Sequence, residues 1–213
     1  MNFGVIGSGM VGQQLAAGLV RLGHGAMIGT RDPAKLEAFV RTYPGVRAAF
    51  NAEAAAFGEL VLLATKWEGT REALDLAGRE NLEGKVVVDI TNPLDFSEGK
   101  PALALGFSTS GGEQVQGWLP GARVVKALNS VTAGAMLDPR GFTGGEPDMF
   151  IAGNDAGAKA DVTRLLESVG WGVVDLGDIT QSRLLEPLAL IWITHALNSG
   201  WTKNDHAFKL LNR

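Results

Sequence analysis

Cysteine is absent from the 213 residues. That absence removes disulfide frameworks, thiolate nucleophiles and thiolate metal sites, and it fits a chain that works in the cytoplasm. Histidine is almost as scarce. His24, His195 and His206 lack the i,i+4 spacing of a metal site, so no bound metal is expected. Positive charge is not in excess either: 19 Lys and Arg against 23 Asp and Glu leave a net charge of −4, with no field to hold nucleic acid. Long apolar runs are missing too. The longest, Leu184 to Ile193, is interrupted by Glu186 and Pro187 and reaches about half a bilayer span. It reads as a helix buried against the body or against a second subunit, not as a membrane segment. The chain starts on a strand pattern, Met1 to Ile6, without a signal-type stretch.

What is present is a chain with 46% apolar and 20% charged residues, too apolar for disorder. Short apolar runs alternate with helical patterns. Strands are expected at Asn2–Ile6, Ala26–Gly29, Arg47–Ala49, Leu60–Thr65, Val86–Ile90, Arg123–Leu128, Met149–Ala152 and Gly172–Asp175. Val86-Val87-Val88 is apolar on both faces, as in a central parallel strand covered by helices. One helix carries Val11, Leu15, Leu19 and Leu22 along a stripe, and another runs from Asp155 to Val169. The Gly-rich stretch from Leu94 to Gly117 shows no clear period and reads as a long loop, a candidate lid. The last ~35 residues read as helix, with Pro187 starting or kinking it. Together these predict an α/β fold: a doubly wound, mainly parallel Rossmann sheet with a small helical C-terminal extension. Residues 1–140 would form the nucleotide-binding domain and 141–213 an α/β and helical part packed on it.

Gly7-Ser8-Gly9-Met10-Val11-Gly12 is a GxGxxG motif that follows a strand and opens a helix. Gly7 permits the tight turn, Gly9 lets a pyrophosphate approach the backbone, and Gly12 lets helix pack on strand. The free amides and dipole of the helix start attract phosphate. The second strand then ends in Gly29-Thr30-Arg31-Asp32-Pro33-Ala34-Lys35. Enzymes that use NAD place a carboxylate here for the ribose 2′-hydroxyl. Asp32 is followed by proline, however, which suits a helix N-cap with Pro33 at the first position. Thr30, Arg31 and Lys35 are then left to surround a 2′-phosphate, and the cofactor indicated is NADP(H).

Three further strand ends fall on the carboxyl edge, where α/β proteins bind ligands. They contribute Thr65-Lys66-Trp67, Thr91-Asn92-Pro93 and, toward the nicotinamide end, Asn129. Trp67 suits a cofactor flank and core packing equally. Ser108-Thr109-Ser110 before Gly111-Gly112 offers either an anion site at a helix start or a flexible loop. Arg183 faces a choice between an acidic group of an acceptor and a pair with Glu186. His24 reads as a turn residue, His195 as a hydrogen-bonded core residue and His206 as exposed. No Ser/His/Asp set, carboxylate pair or HExxH motif is present, so no catalytic side chain is assigned.

These stretches, with Val124-Val125-Lys126-Ala127-Leu128-Asn129 and the segment Gly177 to Pro187, resemble the NADP(H)-dependent oxidoreductases that use a deazaflavin coenzyme of the F-420 type. The reductase domains of STEAP metalloreductases are more distant relatives. The resemblance covers nearly the whole chain. It implies that Ser8, Gly9, Met10 and Val11 line the pyrophosphate, that Lys66, Thr70 and Asn92 flank ribose and pyrophosphate, and that the Ala133 backbone meets the nicotinamide amide. Asn129, Ser108 and Arg183 are the acceptor-side candidates. The resemblance also implies a homodimer and hydride transfer between NADP(H) and a small-molecule redox acceptor, a deazaflavin or a flavin. Asn129 stands where archaeal members carry histidine, which leaves quinones and chelated iron open as acceptors, and a non-catalytic NADPH sensor open as a role.

Overall fold

The structure, a computed structural model, describes residues 1–201, 205–211 and 213. Its strands are β1 (Asn2–Ile6), β2 (Gly25–Thr30), β3 (Val46–Phe50), β4 (Leu60–Leu63), β5 (Val86–Asp89), β6 (Leu94–Asp95), β7 (Ala102–Leu103), β8 (Arg123–Lys126), β9 (Asp148–Gly153) and β10 (Gly172–Asp175). The helices are α1 (Met10–Arg21), α2 (Glu37–Thr42), α3 (Asn51–Phe57), α4 (Thr70–Ala77), α5 (Gly111–Trp118), α6 (Ala156–Val169) and α7 (Ser182–Asn198). All eight expected strands are present. They form one sheet in the order β3-β2-β1-β4-β5-β8-β9-β10, whose first six positions follow the Rossmann order. Only the β8–β9 pairing is antiparallel.

Strand alternation divides the core in two. Phe3, Val5, Leu60, Leu62, Val86 and Val88 face α1 with its Leu15, Ala16 and Leu19. Ile6, Val61, Leu63, Val87 and Val124 face the other way, toward Leu74 of α4 and Val115 of α5. The register aligns Ile6 with Gly29 and Leu63, Leu63 with Asp89, and Asp89 with Lys126. One row of carboxyl ends therefore delivers the glycine loop, Ala64, Ile90 and Ala127 to a common edge.

Two expectations are corrected. The stretch from Leu94 is not a structureless loop: β6 and β7 pair as an antiparallel hairpin, Leu94 against Leu103, and α5 begins at Gly111. Its turn is set by Asp95, which accepts from the Ser97 amide and hydroxyl, and by Gly99 at φ 76°. Two-residue strands are too short to show a period. The helical tail also ends early. Gly200 takes φ 61°, and residues 205–211 run as irregular chain beside β9, with the Asp148 amide donating to the Phe208 carbonyl. Residues 202–204 and 212 lie outside the described residues. Pro187 sits inside α7, so the Arg183 carbonyl loses its helical donor. The expected division near residue 140 falls between β8 and β9, which are hydrogen-bonded neighbours. Among the described residues no helix is long and apolar enough to cross a membrane.

Candidate active site

The glycine loop shapes the larger cavity on this edge, about 820 Å3. Gly7 takes φ 120°, and a Cβ there would press on the Ala64 carbonyl. A Cβ on Gly12 would overlap the Gly7 carbonyl, whereas nothing lies within 4 Å of the Cβ direction at Gly9. That open space is where a pyrophosphate would approach. Gly9 also supplies no side-chain cap to α1, so the helix start keeps the donors and positive dipole that an anion needs. Gly7, Ser8, Gly9, Met10 and Val11 line the cavity, and Ser8 donates to the Thr30 hydroxyl at 3.1 Å, tying the loop to the end of β2.

Thr30, Arg31 and Lys35 meet at the far end of this cavity. Each cation has an internal partner: Arg31 Nη1 lies 3.2 Å from Glu72 Oε2, and Lys35 Nζ lies 3.6 Å from Asp32 Oδ2. Asp32 occupies the N-cap position of the short 3-10 turn Pro33–Leu36 but makes no side-chain capping bond, because its carboxylate turns to Lys35 instead. Glu68 lines the same wall. Glu72 and Asp32 hold the two cations in place, and spacing did not reveal Glu72, which comes from α4.

A second cavity of about 330 Å3 shares Val11, Ala64, Thr65, Lys66 and Glu68 with the first. Its other walls are mostly apolar, formed by Trp67, Ile90, Phe96, Val131, Met136 and Trp192. Trp67 serves both of its expected uses. It lines the cavity, and it stacks on Trp118 with ring centroids 5.5 Å apart. Asn92 and Asn129 interlock at the floor: Asn92 Nδ2 donates to the Asn129 carbonyl at 2.8 Å, and Asn129 Nδ2 donates to Asn92 Oδ1 and the Leu185 carbonyl, both at 3.0 Å.

Beneath the asparagines lies an ionic cluster that motif reading missed. Lys126 is fully buried and donates to Asp89 Oδ2 at 3.0 Å and to the Thr91 carbonyl at 2.5 Å, with Glu186 Oε1 at 3.0 Å. Burial pushes its pKa down, but the two carboxylates outweigh that and hold it above the ordinary lysine value. Glu186 in turn accepts the amides of Gly111 and Gly112, both at 3.0 Å. The signal for this cluster was a charged residue at the end of each of two apolar strands, VVVD and RVVK.

Four readings are corrected. The start of α5 is already filled by the Glu186 carboxylate and by Ser110, whose hydroxyl accepts from Glu113, so the stretch from Ser108 to Gly112 offers no anion site. Ser108 itself is exposed outside both cavities. Arg183 pairs with Glu113 through two bonds of 2.8 and 2.5 Å, not with Glu186, and lines a separate hollow. His195 is exposed rather than in the core, and His206 is partly buried, stacked on Trp192 at 4.6 Å.

The remaining candidates support the site from behind. Thr70 is fully buried and holds the Thr65 hydroxyl at 2.8 Å and the Lys66 carbonyl at 3.0 Å. Pro93 is buried and its carbonyl accepts from Ala104, anchoring the hairpin. Ala133 begins a short turn between Val131 and Met136, which reach the second cavity where Ala133 does not.

A Rossmann sheet with an uncapped glycine loop, and a threonine, an arginine and a lysine at the far end of the cavity it opens on, is the make-up of an NADP(H)-binding class of protein. Comparison with known proteins narrows this. The family model "NADP oxidoreductase coenzyme F420-dependent" matches residues 2–93. The F420-dependent NADP reductase of Methanothermobacter marburgensis is 30% identical over 200 residues, covering 88% of each chain. The chain belongs to this oxidoreductase family. Metalloreductase STEAP3 of Rattus norvegicus is 28% identical over 187 residues, which span 88% of this chain but only 36% of that relative. A solved structure of a candidate F420-dependent NADP reductase from Arthrobacter sp. FB24 is 44% identical and covers all of both chains, with a TM-score of 0.94. The imine reductase of Streptomyces aurantiacus, at 21% identity and a TM-score of 0.66, shares the fold alone.

Proposed function

We propose that the chain transfers a hydride between NADP(H), held in the larger cavity, and a planar redox acceptor in the smaller one, with a deazaflavin coenzyme as the acceptor. The observation that carries this reading is the continuity of the two cavities through Val11, Ala64, Thr65, Lys66 and Glu68. A dinucleotide anchored by its 2′-phosphate at Arg31 and Lys35 would lay its pyrophosphate over Gly9 and its far ring against the apolar walls. NADP(H) supplies the hydride, which leaves the protein to position the two rings and exclude water. Trp67, Val131, Met136 and Trp192 supply the dry walls, and the asparagine floor limits how deep a ring can sit. No side-chain proton donor is needed when the acceptor takes its proton from solvent.

NADPH-dependent reduction of a flavin, a quinone or a ferric complex is the second reading, supported by the metalloreductase likeness. NADPH oxidation by the purified protein, followed with the deazaflavin, FMN, FAD, a quinone and ferric citrate, separates them. Saturable turnover selective for the deazaflavin is the expected result. Turnover only with flavin, quinone or iron selects the second reading. NADPH binding without turnover of any acceptor points to a sensor. The reading includes a homodimer built on the outer face of α7, where Leu184 and Ile191, two helical turns apart, are 59% and 61% exposed.

A further inference from the structure

We propose that Phe96, in the turn of the β6–β7 hairpin, binds the acceptor by laying its ring against a flat aromatic face at the mouth of the smaller cavity; this rests on the two-cavity reading above. Three aromatic rings line that cavity, each from a different part of the fold: Trp67 from the turn after β4, Trp192 from α7 and Phe96 from the hairpin. Two of them are already engaged within the protein. Trp67 stacks on Trp118, while Trp192 is buried, stacks on His206 and donates its indole N–H to the His206 carbonyl. Phe96 differs. It is 56% exposed, and no other ring among the described residues stacks on it.

The backbone on either side holds this ring at the cavity mouth. Asp95 accepts the Ser97 amide at 2.8 Å and its hydroxyl at 2.9 Å, and the Phe96 carbonyl accepts the Gly99 amide at 3.0 Å. Phe96 is thus pinned inside two overlapping turns. The hairpin is tied to the cavity floor in its turn: the Leu94 amide donates to the Asn92 carbonyl at 2.9 Å, and the Ala104 amide to the Pro93 carbonyl at 2.7 Å. An apolar ring kept half in water at such a place gains free energy when something covers it. A planar acceptor lying against it removes water from both faces and adds an aromatic contact, and the fixed turn keeps the ordering cost small. A hydrated ferric complex has no such face to offer. Phe96 therefore favours deazaflavin, flavin and fused-ring quinone acceptors, and it lines the smaller cavity but not the larger, so its effect falls on the acceptor alone.

Binding of the deazaflavin coenzyme and of FMN to protein saturated with NADP+ is read by quenching of tryptophan fluorescence. The wild type is compared with Phe96→Ala, Phe96→Leu and Phe96→Tyr. Phe96→Ala should weaken both rings about 3- to 10-fold, the worth of one aromatic contact. Phe96→Tyr should stay close to the wild type, and Phe96→Leu should fall between. NADPH affinity and the melting temperature should not change in any variant, since the side chain is exposed and away from the larger cavity. Equal affinity of the wild type and Phe96→Ala for both rings overturns the proposal. So does an equal loss in Phe96→Ala and Phe96→Tyr, or a loss that NADPH shares. A wild type that binds NADP+ but neither ring overturns the two-cavity reading itself, and the role of Phe96 falls with it.

Discussion

Arg31 and Glu72 approach across 41 residues of sequence at the mouth of the larger cavity, both largely exposed. An exposed ion pair is worth about 0.2–1 kcal/mol, so on the proposed reading Glu72 would compete only weakly with a 2′-phosphate for the same guanidinium. Glu72→Gln should tighten NADPH by about 2- to 5-fold in a fluorescence titration and leave NADH unchanged. Arg31→Gln should act in the opposite sense, weakening NADPH by about 1.5–3 kcal/mol, again with little effect on NADH. Equal changes for the two cofactors would show that neither residue reads the 2′-phosphate. That Arg31 and Lys35 line this cavity was legible because they follow a strand end at fixed spacing. Glu72 was not, because a residue on another helix enters the site only through the fold. Thr70 was placed in the site by resemblance, and it serves one step removed, through Thr65 and Lys66.

Helix α7 is joined to the sheet by polar bonds as much as by packing. Lys126 draws Asp89 of β5, the Thr91 carbonyl and Glu186 of α7 to one point, and Glu186 carries the link on to the first amides of α5. Lys126→Met should cost about 3–5 kcal/mol in urea denaturation, since it strands two buried carboxylates. The Arg183–Glu113 pair makes a second tie between the same helices. Its hydrogen bond from Arg183 holds the Glu113 pKa below the ordinary 4.5, against burial that would raise it. A depressed carboxylate contributes stability that is complete above its unfolded pKa and is lost as pH falls through the folded one. Thermal stability should therefore drop on acidification below about pH 4.5, and Glu113→Gln should show a smaller drop over that range. A wild-type and variant pair with parallel acid limbs would refute this link. The hairpin β6–β7 escaped sequence reading for want of length, and the helical tail was over-extended although Gly200, a glycine at φ 61° just past Asn198, is a helix stop signal.

At the scale of the whole molecule, alternating strands and helices were enough to read the sheet, and the glycine loop was enough to orient it. The reversed direction of β9 was not read from the sequence. A parallel step needs a crossover, usually helical, and the chain between Lys126 and Asp148 contains only the short turn at Ala133–Ala135. A ligand that fills the larger cavity binds the folded state alone. NADPH at 100 times its dissociation constant should thus add about 2.7 kcal/mol to stability and raise the melting temperature by several degrees, with NADH at the same concentration adding less. The long reach of Glu186 also orders events during synthesis. Its partners Gly111, Gly112 and Lys126 leave the ribosome 60 or more residues before it does, and until it emerges the start of α5 is without its carboxylate and Lys126 without its second one. The nascent chain can assemble its first strands early, but the smaller cavity closes only when α7, which supplies Trp192 and Ile193, is made.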